Sequence, residues 1–504
     1  MVDALLSSLL PAFLGGLFLS FCIEQMLRPR PLIVGRPCAA FAVHAGVWTL
    51  AFAAELLLMR RPYFAAGNVL ALEMVVVVVS NAKHGALREP FVYPDFEYFL
   101  DAIKHPRLYL PFIGVWAVVL PLVGYILICV AAFRYEPSLL DGPGGAIGYA
   151  TAVAGLLFTG LALCRAGRQL RPTFDASADL AKLGLLASLY AYGRAERTPP
   201  ELAQHSGAAW PELPSGQQAP DLVSIQSESF FDARRTYPAL RDDLLTGFDR
   251  LRKEALAHGD LTVPAWGANT VRSEFAFLCG QSQQTLGVHR YNPYRRLEMS
   301  TVPSLARHLK RRGYRSVCIH PYHASFYRRD DIMPRLGFDE FIDLSAFSDA
   351  DRQGPYVGDK AVAEKVIEIL RRSAGGPLYI HVITMENHGP LHWEAVGPED
   401  AEAVASLPLP ANCRDLVAYA RHLRNADAMF ERIAGFLKQH DRSAGLCIYG
   451  DHVPIMADVY RSLGEPDGTT PYLIWHNRHA AQATAQAAAL DDLAGLWLQR
   501  CYLP

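Results

Sequence analysis

Asp221-Leu-Val-Ser-Ile-Gln-Ser-Glu-Ser229 opens on a largely apolar run and carries a carboxylate just past it. Residues 221–225 have the length and branching of a buried strand, and Glu228 stands just past its end. The pattern recurs twice. The run 378–385 leads into Glu386-Asn-His388, and the run 446–449 leads into Gly450-Asp-His452. Acidic and imidazole groups placed repeatedly at strand ends are what a metal site in an α/β sheet requires, because ligands gather beyond the carboxyl ends of parallel strands.

Around these runs, strand-like and helix-like segments alternate from Asp221 onward. Helices are predicted at 302–312, 361–373, 416–440 and Leu490–Cys501, and further strands at 316–320 and 471–475. This βαβ alternation predicts a mostly parallel sheet with helices on both faces. Residues 221–504 therefore read as one catalytic-type domain.

Upstream the chain changes character. Five apolar stretches, 5–23, Cys38–Met59, 64–80, 109–133 and 146–164, have the length and composition of membrane spans. A soluble core helix explains any one of them, but not five in one N-terminal block. No small-residue cleavage site follows 5–23, so it reads as an anchor and not a removed signal peptide. Glu55 and Glu73 lie within the second and third spans, where a carboxylate is costly unless it faces other helices or an interface. Residues 1–165 thus form a transmembrane domain. The segment 166–220 holds an amphipathic helix at 177–197, lying against the membrane, and a Pro/Gly/Ser/Gln-rich linker at 198–220.

Composition agrees. Only 19% of the 504 residues are charged, and the mean hydropathy is +0.10. A net charge of -2 gives no reason to expect nucleic acid. Nine cysteines are scattered without C-x-x-C spacing, which excludes a zinc ribbon and a disulfide framework. Between spans three and four, Lys83 and Arg88 accompany an aromatic cluster of Phe91, Tyr93, Phe96, Tyr98 and Phe99. That loop is either an interfacial aromatic belt or a cradle in which Lys83 and Arg88 meet an anionic lipid headgroup. Charge counting over the loops places most Lys and Arg on the side of the C-terminal domain, which the positive-inside rule assigns to the cytoplasm.

The candidate chemistry lies in a few residues. Glu228 is a metal ligand or a solvated cap. With Asp451 and His452 it makes the mixed oxygen and nitrogen set that suits Zn²⁺ or Mn²⁺. Thr270 follows the small-residue turn Gly267-Ala-Asn269 and precedes a helix predicted at 273–278. It is a helix N-cap or a nucleophile held where backbone N–H groups favour a phosphate. His388 has the chemistry to protonate a leaving alkoxide. His320, Tyr327 and Arg329 offer an imidazole, an aromatic ring and a phosphate clamp at one sheet edge.

Taken in order, these motifs resemble the lipoteichoic acid synthase and phosphoglycerol transferase family, a branch of the alkaline phosphatase/sulfatase superfamily. The resemblance covers nearly the whole chain. It implies an α-helical transmembrane bundle followed by an extracytoplasmic α/β domain of alkaline phosphatase/sulfatase-like fold, in opposition to the charge count. It implies Glu228, Thr270, Asp451 and His452 as ligands of a divalent metal, Mn²⁺ foremost with Zn²⁺ or Mg²⁺ as alternatives, and Thr270 as nucleophile. His388, His320, Tyr327 and Arg329, with Lys83 and Arg88, fall to substrate binding. Tyr327 stands where the family carries Trp, and His323 where some relatives carry Asp, which bears on the headgroup more than on the reaction. The implied reaction moves phosphoglycerol from a membrane phospholipid, phosphatidylglycerol foremost, through a phosphothreonine to an envelope glycan or polymer. Phosphoethanolamine transfer, phosphodiester hydrolysis and a non-catalytic lipid-binding scaffold are the alternatives. Formylglycine-type sulfate hydrolysis is not supported, since no cysteine lies in a C/S-x-P-x-R setting and Thr270-Val-Arg-Ser273 lacks the proline.

Overall fold

A computed structural model of the chain describes residues 2–97, 115–141, 145–200, 202, 210–213, 218–373, 375–479 and 483–502. The start of the fourth expected span, Tyr98, Phe99, Lys104 and Arg107, and much of the expected linker lie outside them. The chain divides into two compact units, Met1–Thr198 and Pro199–Pro504.

Among the described residues of the first unit, five helices are long and apolar enough to cross a membrane: Ser7–Glu24, Cys38–Met59, Pro62–Leu87, Val123–Asp141 and Gly145–Gln169. Leu58, Val78, Ile128 and Phe158 on their outer faces are exposed, as side chains that meet lipid are in the absence of lipid. Glu73 is buried in the bundle, as a carboxylate inside a span requires.

The expected 177–197 helix is two helices, Ala176–Leu183 and Leu185–Ala195, broken at Gly184. Gly184 has φ 79°, and a Cβ there would overlap the side chains of Glu24 and Arg36. Glu24 is fully buried, accepts from Arg36 Nη1 at 2.5 Å and from the Leu185 backbone N–H at 2.5 Å. An uncompensated buried carboxylate is expensive, so this pairing clips both short helices onto the bundle. Residues 166–198 belong to the N-terminal unit. Periodicity showed their amphipathic face but not the protein surface that covers it.

In the second unit the strands are β1 Asp221–Ser227, β2 Ala257–Thr262, β3 Arg315–Ile319, β4 Glu340–Ile342, β5 Arg352–Gln353, β6 Tyr356–Val357, β7 Leu378–Ile383, β8 Ala444–Gly450, β9 Thr470–His476, β10 Thr484–Ala485 and β11 Ala488–Ala489. The main sheet runs β10-β2-β9-β8-β1-β7-β3-β4, with β11 also on β2 and β5-β6 as a separate pair. β8, β1, β7, β3 and β4 are parallel, and β9 is antiparallel to both β8 and β2. Alternate residues feed two cores. Val223, Ile225, Leu446 and Ile448 enter one, while Leu222, Cys447 and Tyr449 enter the other, so helices cover both faces. β2 escaped the sequence reading because Ala-His-Gly-Asp-Leu-Thr carries no apolar run.

Candidate active site

The four central strands β8, β1, β7 and β3 are neighbours and parallel, so their carboxyl ends open on one edge. Asp451 and His452 follow β8, Glu228 follows β1, His388 follows β7, and His320 follows β3. Pairing of Ser227 with Gly450 brings Glu228 and Asp451 level across the β1/β8 boundary. Gly450 makes this possible, because a Cβ there would overlap the Phe230 carbonyl of the chain leaving β1. The turn at Ser229 (φ 52°) then returns its N–H to Asp451 Oδ1 at 2.8 Å.

Glu228, Asp451 and His452 are all buried, and one ligand atom of each lies within 4.8 Å of the others. Asp451 Oδ2 and His452 Nε2 are buried with no hydrogen-bond partner. Such atoms cost free energy unless something else meets them, and their convergence fits a cation. The rest of each ligand is already spoken for. Asp451 Oδ1 accepts from the Ser229 and His452 N–H groups, and His452 Nδ1–H donates to the Val453 carbonyl at 3.0 Å, leaving Nε2 with its lone pair. Burial, then the Glu228 carboxylate beside it, pushes the Asp451 acid above its ordinary range. The donor set of two carboxylates, one imidazole and the nearby Thr270 hydroxyl fits a divalent ion such as Mn²⁺, Zn²⁺ or Mg²⁺.

Thr270 opens the helix Thr270–Cys279, three residues earlier than the sequence suggested. Asn269 holds the cap position with φ 67°, so Thr270 is not the N-cap. Its hydroxyl donates to Glu228 Oε2 at 3.4 Å instead. The helix is fastened to β8 by Ser273 Oγ, which donates to the Asp451 carbonyl at 2.7 Å.

One pocket is lined by Glu228, Ala268, Asn269, Thr270, His320, Phe326, Tyr327, Arg329, Met385 and His388. Six candidates named from sequence meet there: Glu228, Thr270, His320, Tyr327, Arg329 and His388. His388 is half-buried and donates from Nδ1 to the Gly389 carbonyl at 2.7 Å, which leaves Nε2 open to a ligand. Arg329 is buried, its guanidinium 5.2 Å from the Tyr327 ring. It binds Glu274 through Nη2–Oε2 at 2.8 Å and Nε–Oε2 at 3.1 Å. His320 donates from Nδ1 to the Ile383 carbonyl and accepts from Arg329 Nη1 at 3.0 Å. Burial, then the Arg329 charge, holds the His320 ring well below its ordinary range, so it is neutral.

Sequence reasoning singled out the stretch from Asn269 to Glu274 but gave Glu274 no role, and it missed Tyr294, whose hydroxyl donates to Glu274 at 2.6 Å. The available signal was spacing: Glu274 is one helical turn beyond Thr270 on a fully buried helix, and a buried Arg requires a counter-ion. It also missed the role of Glu386, which accepts the Asp359 N–H at 2.6 Å at the start of the helix Asp359–Arg372 and so anchors the segment carrying His388. His323 is exposed and does not line the pocket. Lys83 and Arg88 belong to the first unit. Lys83 is not a free cation for a headgroup, since Glu89 and Asp95 each hold its ammonium at 2.6 Å. Arg88 is exposed and donates to the Gly85 carbonyl.

The family model described as Sulfatase matches residues 220–500. The chain is 29% identical over 468 residues to the capsular polysaccharide biosynthesis protein RkpI of Rhizobium meliloti (strain 1021), covering 88% of this chain and 82% of that one. It is 31% identical over 162 residues to lipoteichoic acid synthase 1 of Bacillus subtilis (strain 168), covering 31% of this chain and 24% of that one. Among solved structures, the integral membrane lipooligosaccharide phosphoethanolamine transferase A of Neisseria meningitidis matches with a TM-score of 0.52 at 11% identity, over 93% of this chain and 96% of that one. At that identity the likeness speaks for the fold alone.

Proposed function

The chain belongs to the sulfatase family, with lipoteichoic acid synthases among its homologues, and from that premise we propose that it is a membrane-anchored phosphoglycerol transferase. One observation carries the reading. The Thr270 hydroxyl faces Glu228 in the pocket that Arg329 and His388 also line, so a nucleophile, a phosphate clamp and a proton carrier converge.

Glu228, Asp451, His452 and Thr270 would hold the divalent cation. When bound, it supplies a Lewis acid that lowers the pKa of the hydroxyl and offsets phosphoryl charge. Thr270, whose hydroxyl proton would pass to solvent when the cation is bound, attacks the phosphorus of a phosphodiester such as phosphatidylglycerol. A bond forms from Oγ to phosphorus, the bond from phosphorus to the diacylglycerol oxygen breaks, and His388 gives that oxygen a proton. In the second step an acceptor hydroxyl passes its proton to His388 and attacks the same phosphorus, and the Thr270 ester bond breaks. Arg329 donates N–H groups to the phosphoryl oxygens in both steps, and the helix N-terminus at Thr270 adds its dipole.

The acceptor is an envelope glycan or polymer. The likeness to a protein named for capsular polysaccharide biosynthesis supports that class. The catalytic unit works outside the cytoplasmic membrane, where such acceptors are. The charge count opposes this orientation, but Arg36 and Lys83, two of the basic residues that weigh in it, are held by carboxylates of their own unit. The testing experiment is incubation of the full-length protein with headgroup-labelled phosphatidylglycerol, followed by peptide mapping. Label on Thr270, chased by an added glycan, is the expected result. Label elsewhere, or release of free glycerol phosphate regardless of acceptor, defeats the transfer mechanism.

A further inference from the structure

Among the described residues that line the pocket, Arg329 is the one permanent cation, and it is not free to act as one. Its guanidinium has five N–H groups. Nε–H and one Nη2–H go to Glu274, and one Nη1–H goes to His320. Two remain, one on each terminal nitrogen. Glu274 and Arg329 are both buried, at 0% and 1% exposure, so water screens their mutual charge little. Tyr294 fixes the second Glu274 oxygen from behind. Neither His320, which is neutral, nor Tyr294 adds charge to the pair.

We propose that Glu274 is a positioning and specificity-determining residue: by clamping Arg329 it aims two N–H groups at the substrate phosphoryl oxygens, and by cancelling the arginine charge it favours a singly charged phosphodiester over a doubly charged phosphomonoester. The inference rests on the reading that Arg329 meets substrate phosphate. A neutral fork recognises the geometry of two phosphoryl oxygens, which diester and monoester share. It withholds the additional attraction that a free guanidinium would give the dianion. A transferase gains from this because a phosphomonoester, the hydrolysis product, then competes poorly with the diester donor.

The test is calorimetric binding of glycerol phosphate and of its methyl diester to the full chain in detergent, at pH 8 and a fixed Mn²⁺ concentration. At that pH the monoester is a dianion and the diester a monoanion. Glu274→Gln should raise monoester affinity relative to diester by about tenfold. Arg329→Gln should weaken both ligands. The double variant, whose pair is again neutral, should bind both weakly and return to the wild-type ratio. An unchanged ratio in Glu274→Gln overturns the inference. Should that variant not fold, the double variant decides, since a tenfold change in its ratio would mean that pair charge does not set the preference. If Arg329→Gln binds both ligands as tightly as wild type, the phosphate reading of Arg329 fails first, and separately.

Discussion

Thr270 and Glu274 stand one turn apart on the same buried helix and face different partners: the Thr270 hydroxyl points to Glu228, and the Glu274 carboxylate grips Arg329. A single rigid element thus sets the distance between the proposed nucleophile and the group proposed to hold the phosphate. Rigid placement of this kind is where much of an enzyme's positioning advantage arises.

Asp451→Ala removes a ligand whose free oxygen has no other partner. Elemental analysis of the purified variant should find stoichiometric metal lost, where wild type retains it. Chelation should also lower the melting temperature of wild type. Saturation at a hundredfold over the dissociation constant is worth about 2.7 kcal/mol. The variant should be insensitive to the chelator, and full metal content in it would remove Asp451 from the ligand set.

Thr270→Ala should fold with near-wild-type stability, because the hydroxyl makes one long hydrogen bond of 3.4 Å to Glu228. Loss of covalent labelling by phosphatidylglycerol, with thermal unfolding shifted by less than about 1 kcal/mol, is the expected pair of results. Retained labelling would exclude a phosphothreonine.

His388→Ala should slow headgroup transfer by about a hundredfold or more while metal content stays the same, the usual scale for loss of a general acid. A donor with a far better leaving group should recover much of the first step. Equal losses for both donors would assign His388 to binding alone.

Lys83→Ala tests the ion-paired loop of the first unit. It leaves Asp95, buried at 4% exposure, without its cation. Destabilisation of about 3 kcal/mol in detergent-solubilised protein is expected, with partial recovery in Lys83→Ala/Asp95→Asn. Unchanged stability with weakened affinity for anionic phospholipid would restore the headgroup role.

Buried histidines, His308, His381 and His476 besides His320, make the second unit sensitive to acid. Burial holds His308 and His476 down to about 4, and His381 to about 3. In the unfolded chain each titrates near 6.5, so below that pH the unfolded state binds more protons. Stability is therefore fullest above about pH 6.5 and falls as the pH drops towards 4, by at most about 1.4 kcal/mol per pH unit for each ring. Thermal unfolding followed between pH 7.5 and 4.5 should show this slope, and a flat profile would contradict it.

Much of this was legible in one dimension. The runs at β1, β7 and β8 show their strands because each is a short segment dominated by apolar residues, and acids and imidazoles follow soon after their ends in the chain. Five spans and a helix close to Thr270 were legible for the same reason: local hydrophobicity and spacing encode them. The polar strand β2 and the break at Gly184 were not, since each depends on a partner distant in sequence.

The sequence by itself determined which groups are offered to the carboxyl edge of the sheet, because strand ends and turn residues are set locally. Tertiary structure alone decided how they are joined. Strand order made β8, β1, β7 and β3 neighbours, which gathered Asp451, Glu228, His388 and His320. Burial then forced Arg329 to take Glu274 and Lys83 to take Glu89 and Asp95, turning two apparent free cations into members of buried ion pairs. Charges are local facts of the chain, but their partners exist only once folding has removed the water that would otherwise solvate them.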